Sequence, residues 1–420
     1  MEGCRKSRLR RFGAGAALLL LALLPTGLEA TPVEEAVRKG LVINPKVKAA
    51  RLDEKAADTD ISIAQGGYYP AVSVSGGPRS ISEGGMSYDV TVAQMLHDWG
   101  RVGSGVNNAT AQRRKLSEQL RLVSDEAALE IVETYLDILQ AERQIAALNI
   151  YIERLNEIKG MTEARSEGGY ADRSEPERAT LELARATDQL LAEQGNLRDA
   201  RNQYLLLVGE EAAALEEPVP QSVAGYVAAR NVDELILASP SYRKALEDTK
   251  SAQAGLREAR ASLFPQLNLE ASTLRRDIGG RAQSDTVVGL RFRMSNIQGF
   301  SNFLRPRGAQ QRVESAIWNE ATVQRETRRQ VRTQLDTVEM MQQREQALQS
   351  QVTGSDAVSE TYLEQFKVGR RDVIDLLNVQ RERFDADRQR ITLRIEQLRA
   401  QYRAAALLGL IGPLLEKGLR

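Results

Sequence analysis

Four short segments of the sequence alternate between apolar and polar residues with a period of two. Such alternation places successive side chains on opposite faces of a β-strand. The segments form two pairs, separated by Gly84-Gly85 and by Gly279-Gly280, which predicts two hairpins of ~10-residue strands. A membrane-spanning strand and a half-buried strand of a soluble domain share this pattern. The alternating segments are residues 72–76, 88–92, 266–271 and 287–294.

Long tracts after each hairpin change to a helical pattern, with apolar residues spaced alternately by three and four positions. A sustained 3–4 alternation predicts a narrow coiled-coil seam rather than a globular core with an enclosed pocket. Gly-containing segments at 167–170 and 367–370 each break one tract, which predicts a turn between antiparallel helices. The seams comprise Ile131, Thr134, Ile138, Ala141, Ile145, Leu148, Ile152 and Leu155, then Leu183 to Leu207, and later Ile391, Ile395, Leu398, Tyr402 and Ala405.

The layout of the chain is duplicated. Pro45 and Pro240 lie 195 positions apart, and Gly169 and Gly369 lie 200 apart. Each copy is predicted to begin with a capped helix that has Pro at its first position, followed by a hairpin and a long helix pair. We therefore divide the chain into a first repeat at 31–208, a linker or equatorial segment at 209–231, a second repeat at 232–415 and a C-terminal tail at 416–420.

Residues 1–30 have the pattern of a secretory signal peptide. Five basic residues precede a short apolar core at 12–24, and Pro25 and a small residue at position 30 follow. An uncleaved anchor is the alternative, although a membrane-spanning helix needs ~20 apolar residues. Cleavage would remove the only cysteine, Cys4, and would leave 52 basic and 55 acidic residues. The mature protein would then have no disulfide and no Cys-ligated metal.

Composition indicates long helices, and no clustered residues or motifs indicate an enzyme. Aromatic residues are 5% and charged residues 27% of the chain, as in long helices. The near-neutral balance argues against a nucleic-acid partner. The single histidine, His97, cannot assemble a typical metal site, and the sequence contains no phosphate-binding loop, nucleophile elbow or H-E-x-x-H motif. We expect no catalytic residue, no metal and no cofactor.

Four strands cannot close a barrel, and an open sheet edge is not tolerated in lipid. Several identical subunits must therefore share one barrel if these strands span a membrane. Two subunits would give an eight-stranded barrel, and side chains fill the interior of a barrel of that size. Three subunits would give twelve strands and an interior with room for water. The predicted fold class is mainly α with β: long antiparallel helices plus four transmembrane strands per protomer. A 70-residue helix continues such a duct for ~105 Å.

Four features of the sequence are specific in their order and spacing: the duplicated layout, the strand starts YYPAVSVSGG and LFPQLNLEAS, the segment VAQMLHDWGR, and the tip segment FKVGRRDVIDLLNVQRERFDADRQR. Together they give the sequence a resemblance to the TolC-like outer membrane efflux family. It implies a homotrimer with a 12-strand outer membrane barrel, a periplasmic α-barrel and an equatorial domain. It also implies an adaptor (membrane fusion) protein and an inner membrane ABC or proton-driven transporter as partners, with outer membrane lipid around the barrel.

The resemblance leads to two alternatives for the cargo. The second tip is most similar to channels of type I protein secretion, and drug or metal efflux is the alternative. A periplasmic adaptor or coiled-coil scaffold is an alternative of another class, because it shares a signal peptide and helical hairpins. Adaptors usually have one hairpin within a β-rich body, whereas this chain has two hairpin units.

Acidic residues follow both predicted tip turns. Threefold repetition would form carboxylate rings at a narrow mouth, which favour cations. The resemblance places Asp375 at a family entrance position, whereas Asn378 occupies a place that is acidic in some members. The alternative is that these acids only stabilise helix N-termini through the helix dipole. The residues predicted for the entrance and its gate are Asp172, Glu175, Arg370, Arg371, Asp372 and Asp375.

Two further sets of residues complete the predicted functional positions. Arg370 and Arg371 are expected to close the gate by hydrogen bonds to a neighbouring helix pair, as a family arginine does; adaptor contact or solvation is the alternative. Gly168, Gly169, Val368 and Gly369 resemble tips that adaptors grasp, or serve turn geometry alone. Aromatic residues predicted at the membrane interface, with strand–helix packing as their alternative, are Tyr68, Tyr69 and Trp99.

Overall fold

The computed structural model describes residues 31–78, 86–218, 223–228, 231–278, 281–294 and 301–413. The predicted signal peptide, both glycine-rich hairpin turns and the C-terminal tail lie outside these residues. In chain order the helices and strands are α1 (Val33–Ile43), α2 (Pro45–Gln65), β1 (Ala71–Pro78), β2 (Met86–His97), α3 (Arg101–Glu167), α4 (Ser174–Val208), α5 (Val223–Ala228), α6 (Val232–Ala238), α7 (Pro240–Ala261), β3 (Gln266–Ile278), β4 (Arg281–Arg293), α8 (Ser301–Lys367) and α9 (Val373–Leu408).

The helix that starts with proline in each copy, α2 or α7, begins where the sequence predicts. Asn44 precedes Pro45, and its side-chain oxygen accepts hydrogen bonds from the backbone N–H groups of Lys46 and Val47 at 2.9 and 3.3 Å. In the second copy the hydroxyl of Ser239, before Pro240, accepts from Tyr242 at 3.4 Å. These caps satisfy N–H groups that lack helical partners, and proline at the first position has no N–H to satisfy.

The four strands form one antiparallel sheet in the order β1-β2-β3-β4. Val72 pairs with Val92, which lies opposite Ala271, which in turn lies opposite Val288. Residues in register share a face, so these side chains form one apolar face, as predicted from the period of two. Val74, Leu290 and Phe292 on this face are 65–72% exposed in the single chain.

The long helices form two antiparallel pairs, α3 with α4 and α8 with α9, and α3 also packs against α2, α7 and α9. The predicted seam residues Ile131, Ile138, Leu155 and Ile395 are fully buried. Burying a side chain of this size contributes about 1.5–3 kcal/mol. With 67 residues each, α3 and α8 extend for ~100 Å at 1.5 Å per residue.

The segment after α4 packs against the middle of the helices. Thr31 and Leu215 form an isolated parallel bridge. The hydroxyl of Tyr135, in α3, contacts the carbonyl oxygens of Thr31 at 2.8 Å and Glu216 at 2.5 Å. Glu217 pairs with Arg143 of α3 and, at 3.5 Å, with Arg394 of α9. This segment thus connects both helix pairs at one level.

None of the described helices combines the length and the apolar character that a membrane-spanning helix needs.

Candidate functional site

The turn between α8 and α9, here called the second tip turn (residues 368–372), is closed by backbone hydrogen bonds. Gly369 has φ +74°, and its N–H donates to the Phe366 carbonyl at 3.0 Å. The N–H of Arg370 donates to the Gln365 carbonyl at 2.9 Å. A left-handed residue after a helix is most often glycine because it has no Cβ. The sequence prediction of a turn here agrees with this geometry.

The turn between α3 and α4, here called the first tip turn (residues 168–173), has the same backbone. Gly169 also has φ +74°, and the N–H of Tyr170 donates to the Arg165 carbonyl at 2.9 Å. The side chain of Tyr170 is 83% exposed. Both tips therefore lie at the same end of paired helices and share one turn geometry.

Buried apolar side chains at the adjoining ends of α8 and α9 pack beneath the surface of the second tip turn. Phe366, Val373 and Leu376 are each no more than 1% exposed. The guanidinium of Arg165, near the end of α3, lies 4.5 Å from the centre of the Phe366 ring, an arrangement typical of a cation–π contact. The first helix pair therefore touches the second at the tip.

Arg371 is bound within its own helix pair. Its Nη1 lies 3.1 Å from Oδ2 of Asp375 in α9, and its guanidinium lies 3.9 Å from the centre of the Tyr362 ring in α8. Its Nε is buried with no hydrogen-bond partner among the described residues. Arg370 and Val368 are exposed. Contact of either arginine with a neighbouring helix pair stays a prediction.

The four predicted mouth acids differ in their surroundings. Asp372 caps α9, since its carboxylate accepts from the N–H of Ile374 at 3.3 Å. Asp172 is exposed at the first tip turn, and its carbonyl accepts from the N–H of Glu175. One carboxylate oxygen of Glu175 is buried with no partner among the described residues. Asp372 thus serves the helix N-terminus, while the role of all four at a mouth stays a prediction.

An ion pair between a buried glutamate and a 44% exposed arginine joins the two helix pairs near the tips. The two carboxylate oxygens of Glu182 in α4 accept hydrogen bonds from Nε and Nη2 of Arg381 at 2.8 and 2.9 Å. Glu182 also accepts a hydrogen bond from the Tyr151 hydroxyl at 3.1 Å. The Tyr151 ring stacks on Phe384 of α9 with centroids 4.6 Å apart. We call Tyr151, Glu182 and Arg381 the inter-pair junction.

The electrostatics of the inter-pair junction favour the charged pair. Burial disfavours the carboxylate of Glu182, but hydrogen bonds from Arg381 and Tyr151 and the positive charge of Arg381 hold its pKa below the ordinary value of 4.5. Burial and the nearby carboxylate raise the pKa of Tyr151, so its hydroxyl stays protonated and donates. The hydrogen bond with Glu182 raises the pKa of Arg381.

The inter-pair junction is not among the functional positions predicted from the sequence. Glu182 follows Ala179 by three positions and precedes Ala186 by four, and all three are buried. A charged residue within the 3–4 seam was therefore the available signal. Its partner Arg381 lies 199 residues away in the sequence, and spacing within one helix could not indicate this pairing.

The predicted interface aromatics lie where the strands meet the helices. Trp99 has φ +60°, its Nε1 donates to the Pro265 carbonyl at 3.0 Å, and its ring lies 5.0 Å from that of Phe264. Tyr68 and Tyr69 are 48% and 70% exposed. Strand–helix packing is thus observed for Trp99, and a place at the membrane interface stays a prediction for all three.

Within the part of the chain that the structure describes, there is no group of three or more His, Cys, Asp or Glu side chains that could hold a metal ion.

The fold and the tips define a class of protein: two helices about 100 Å long, each paired with a shorter antiparallel helix at the tip end, and an open sheet with one apolar face at the opposite end. The sequence model of the family described as "Outer membrane efflux protein" matches residues 37–210 and 231–410, and the chain belongs to this family. No curated protein sequence matches the chain significantly. The resemblance inferred from the tip and strand motifs is therefore confirmed.

Solved structures with the same fold include three outer membrane proteins. CusC is 15% identical, with a TM-score of 0.78 over 90% of this chain and 91% of its own. VceC from Vibrio cholerae is 15% identical, with a TM-score of 0.77 over 90% and 96%. The open-state MtrE channel from Neisseria gonorrhoeae is 17% identical, with a TM-score of 0.74 over 90% and 88%. The predicted fold class is confirmed by these similarities.

The chain is thus an outer membrane efflux channel protein that extends into the periplasm, as the sequence predicts. Members of this family are channels and not enzymes. This class of protein is favoured over the periplasmic scaffold that also fitted the sequence.

Proposed function

We propose that three copies of the chain form one duct through the outer membrane, and that the tips of their helices form its gated periplasmic mouth. The observation that carries the proposal is the open four-stranded sheet, in which β1 and β4 are edges. An unpaired strand edge in lipid leaves N–H and C=O groups without partners. Pairing edges between three subunits satisfies these groups and gives twelve strands around a water-filled lumen.

Exposed apolar side chains on the helices support this assembly. Leu206 is 81%, Trp318 70% and Leu191 62% exposed in the single chain. Side chains of this size contribute most to stability when they are removed from water. Neighbouring subunits would cover them and would continue the barrel as a helical tube into the periplasm.

The mouth of this duct would be the end formed by both tip turns. Asp172, Glu175, Asp372 and Asp375 would each repeat three times around the axis and attract cations. Arg370 and Arg371 would restrain the closed state, and an adaptor protein would contact the exposed turns at Gly168, Gly169, Val368 and Gly369. An inner membrane ABC or proton-driven transporter would supply the energy, since a passive duct has no site for hydrolysis.

Three further assignments belong to the same proposal. Residues 1–30 are a cleaved signal peptide, and the two repeats at 31–208 and 232–415 flank the equatorial segment at 209–231. Tyr68, Tyr69 and Trp99 lie at the periplasmic edge of the membrane, where aromatic side chains are frequent.

The duct is tested by reconstituting the mature protein in a planar bilayer and by crosslinking it in detergent. We expect a trimer that conducts ions and is blocked by divalent or trivalent cations added on the periplasmic side. The variant Asp375→Ala should weaken this block, because a ring of three carboxylates is lost. A water-soluble monomer that forms no conducting pathway would overturn the proposal, and unchanged block would remove Asp375 from the mouth.

For the cargo we propose type I protein secretion, on the similarity of the segment FKVGRRDVIDLLNVQRERFDADRQR to such channels. Drug or metal efflux is the alternative. A deletion strain distinguishes them: loss of a secreted protein from the medium supports the proposal, whereas unchanged secretion with increased sensitivity to drugs or metals supports the alternative. Crosslinking from the tip turns, followed by identification of the captured transporter, provides an independent test.

A further inference from the structure

The polar face of the sheet carries a compact charged group at the end nearest the helices. In β3 and β4, Asn268 lies opposite Arg291, Glu270 opposite Gly289 and Gln266 opposite Arg293. Residues two apart on a strand share a face, so Glu270, Arg291 and Arg293 point to the same side. This side is opposite to the apolar face that carries Leu290 and Phe292.

The glutamate of this group is buried under the two arginines. The side chain of Glu270 is 6% exposed, while those of Arg291 and Arg293 are 64% and 59% exposed. The Arg291 Nε lies 3.0 Å from one carboxylate oxygen of Glu270, and the Arg293 Nη2 donates to the other at 2.6 Å. Both guanidinium groups are thus held over one carboxylate and still face solvent.

Most N–H donors of the two arginines are not used in these contacts with Glu270. A guanidinium carries five N–H donors in a planar fork that matches carboxylate and phosphate groups. The contacts to Glu270 involve one nitrogen of each arginine. Glu270 therefore holds two guanidinium groups side by side on the polar face and neutralises part of their charge.

The charge at the level of Glu270 differs from the charge at the level of Leu274 in β3. Two arginines and one glutamate give a net charge of +1 per subunit at the level of Glu270. Asp89 and Asp285 both lie opposite Leu274, four residues further along β3, on the same face. Four residues correspond to about 13 Å of strand. An acidic level thus follows a basic level along one polar face.

We propose that Glu270, Arg291 and Arg293 of three subunits form an anion-binding ring inside the barrel, which contacts carboxylate-bearing segments of a passing cargo. This inference rests on the proposed trimeric duct, because the polar face lines a lumen only when the sheets close. Six guanidinium groups then surround the path just beyond the helical tube. The acidic mouth at the tips and the basic ring lie at opposite ends of that tube.

The ring is tested with the full-length mature channel in a planar bilayer and a synthetic oligoglutamate peptide added on the barrel side. From this side the peptide reaches the ring without crossing the tips. Low ionic strength is used because the Debye length is about 10 Å at 0.1 M salt. The readout is the peptide concentration that halves the conductance.

Removing the arginines and removing the glutamate should shift the half-blocking peptide concentration in opposite directions. Arg291→Gln/Arg293→Gln should raise it at least about tenfold, because the charge-assisted bonds are lost. Glu270→Gln should lower it about two- to threefold, because a competing carboxylate is removed. Arg275→Gln, on β3 but on the other face of the sheet, is the matched control and should leave block unchanged.

Folding and function are separated by two more measurements. The triple variant Glu270→Gln/Arg291→Gln/Arg293→Gln leaves no unpaired buried carboxylate, and its block should be as weak as that of the double variant. A wild-type protein that does not conduct contradicts the duct itself. A conducting wild type that oligoglutamate does not block, or a double or triple variant that is blocked like wild type, overturns the ring while leaving the duct intact.

Discussion

The two tip turns have the same backbone but different surroundings. Gly169 and Gly369 both have φ +74°. At the second turn Phe366 and Val373 are 1% exposed, whereas Ser166 and Arg173, the positions 200 residues earlier at the first turn, are half-buried and exposed. Arg371 contacts both Asp375 and Tyr362 at the second turn. The duplicated chain therefore repeats the turn, which requires only a glycine, while packing and ion pairs hold the second tip more firmly.

The inter-pair junction connects the second helix pair, which carries the more firmly held tip, to the first helix pair. Arg381 lies in α9, nine positions after Asp372, and Glu182 lies in α4, eight positions after Ser174. The contact between Glu182 and Arg381 thus links the second helix pair to the first within about three helical turns of the tips. Variants at this junction therefore test how the second helix pair is held against the first.

Removing the arginine of the junction should have the largest effect. Arg381→Met leaves the buried Glu182 without its bidentate partner. Breaking a fully buried pair costs 3–5 kcal/mol, and because Arg381 is 44% exposed we expect about 2 kcal/mol here. The measurement is thermal unfolding of the detergent-solubilised protein, combined with its resting conductance, which should rise.

The matched control for this variant is Arg185→Met. Arg185 also contacts Glu182, at 3.3 Å, but is 59% exposed, so its loss should cost under ~0.5 kcal/mol. The double variant Glu182→Gln/Arg381→Met removes the unpaired carboxylate and should recover part of the stability. Equal losses for Arg185→Met and Arg381→Met would contradict a special role of the junction.

The pH dependence of the junction should be the next largest effect. The pKa of Glu182 is held below 4.5 in the folded protein, so its contribution to stability is complete above 4.5 and is lost as pH falls toward the folded pKa. The difference in melting temperature between wild type and Glu182→Gln should therefore be constant from about pH 8 to 5.5 and shrink below about pH 4.5. A difference that grows on acidification would show that the carboxylate is not the stabilised form.

How far the sequence predicts this molecule depends on the range of each interaction. Pro45, Asn44 and the tip glycines act within a few residues, so the sequence predicts the helix starts and turns at the positions observed. The period of two predicts which face of each strand is apolar. Glu182 and Arg381 meet only because α4 lies beside α9, and Arg371 contacts Tyr362 only because the tip turn brings α8 beside α9. Such partner choices follow from packing rather than from local pattern.

The glycines of the two turns offer a matched pair of smaller perturbations. Alanine at φ +74° is strained by about 1 kcal/mol, and a Cβ at either position would meet no atom within 4 Å. Gly369→Ala should show the full loss, because the anchored second turn cannot relax. Gly169→Ala should show less, because the first turn is free to adjust.

Gly160→Ala is the control for this pair. Gly160 lies inside α3, and a Cβ there also meets nothing within 4 Å. Alanine favours a helix interior over glycine by about 0.5–1 kcal/mol, so this variant should be slightly more stable than wild type. Melting temperatures of the three variants, measured side by side, check the order; a greater loss for Gly169→Ala than for Gly369→Ala would reverse the comparison of the tips.

The two arginines of the second turn should give the smallest change in stability and still differ in function. Arg371→Gln loses the 3.1 Å pair with Asp375 and the contact with Tyr362, which together contribute under ~1 kcal/mol at this half-exposed position. Resting conductance should rise, because the second tip loses a restraint. Arg370→Gln, at the exposed neighbouring position, should leave conductance nearer to wild type. Equal conductance for both variants would mean that the contacts of Arg371 within its own helix pair do not restrain the closed tip.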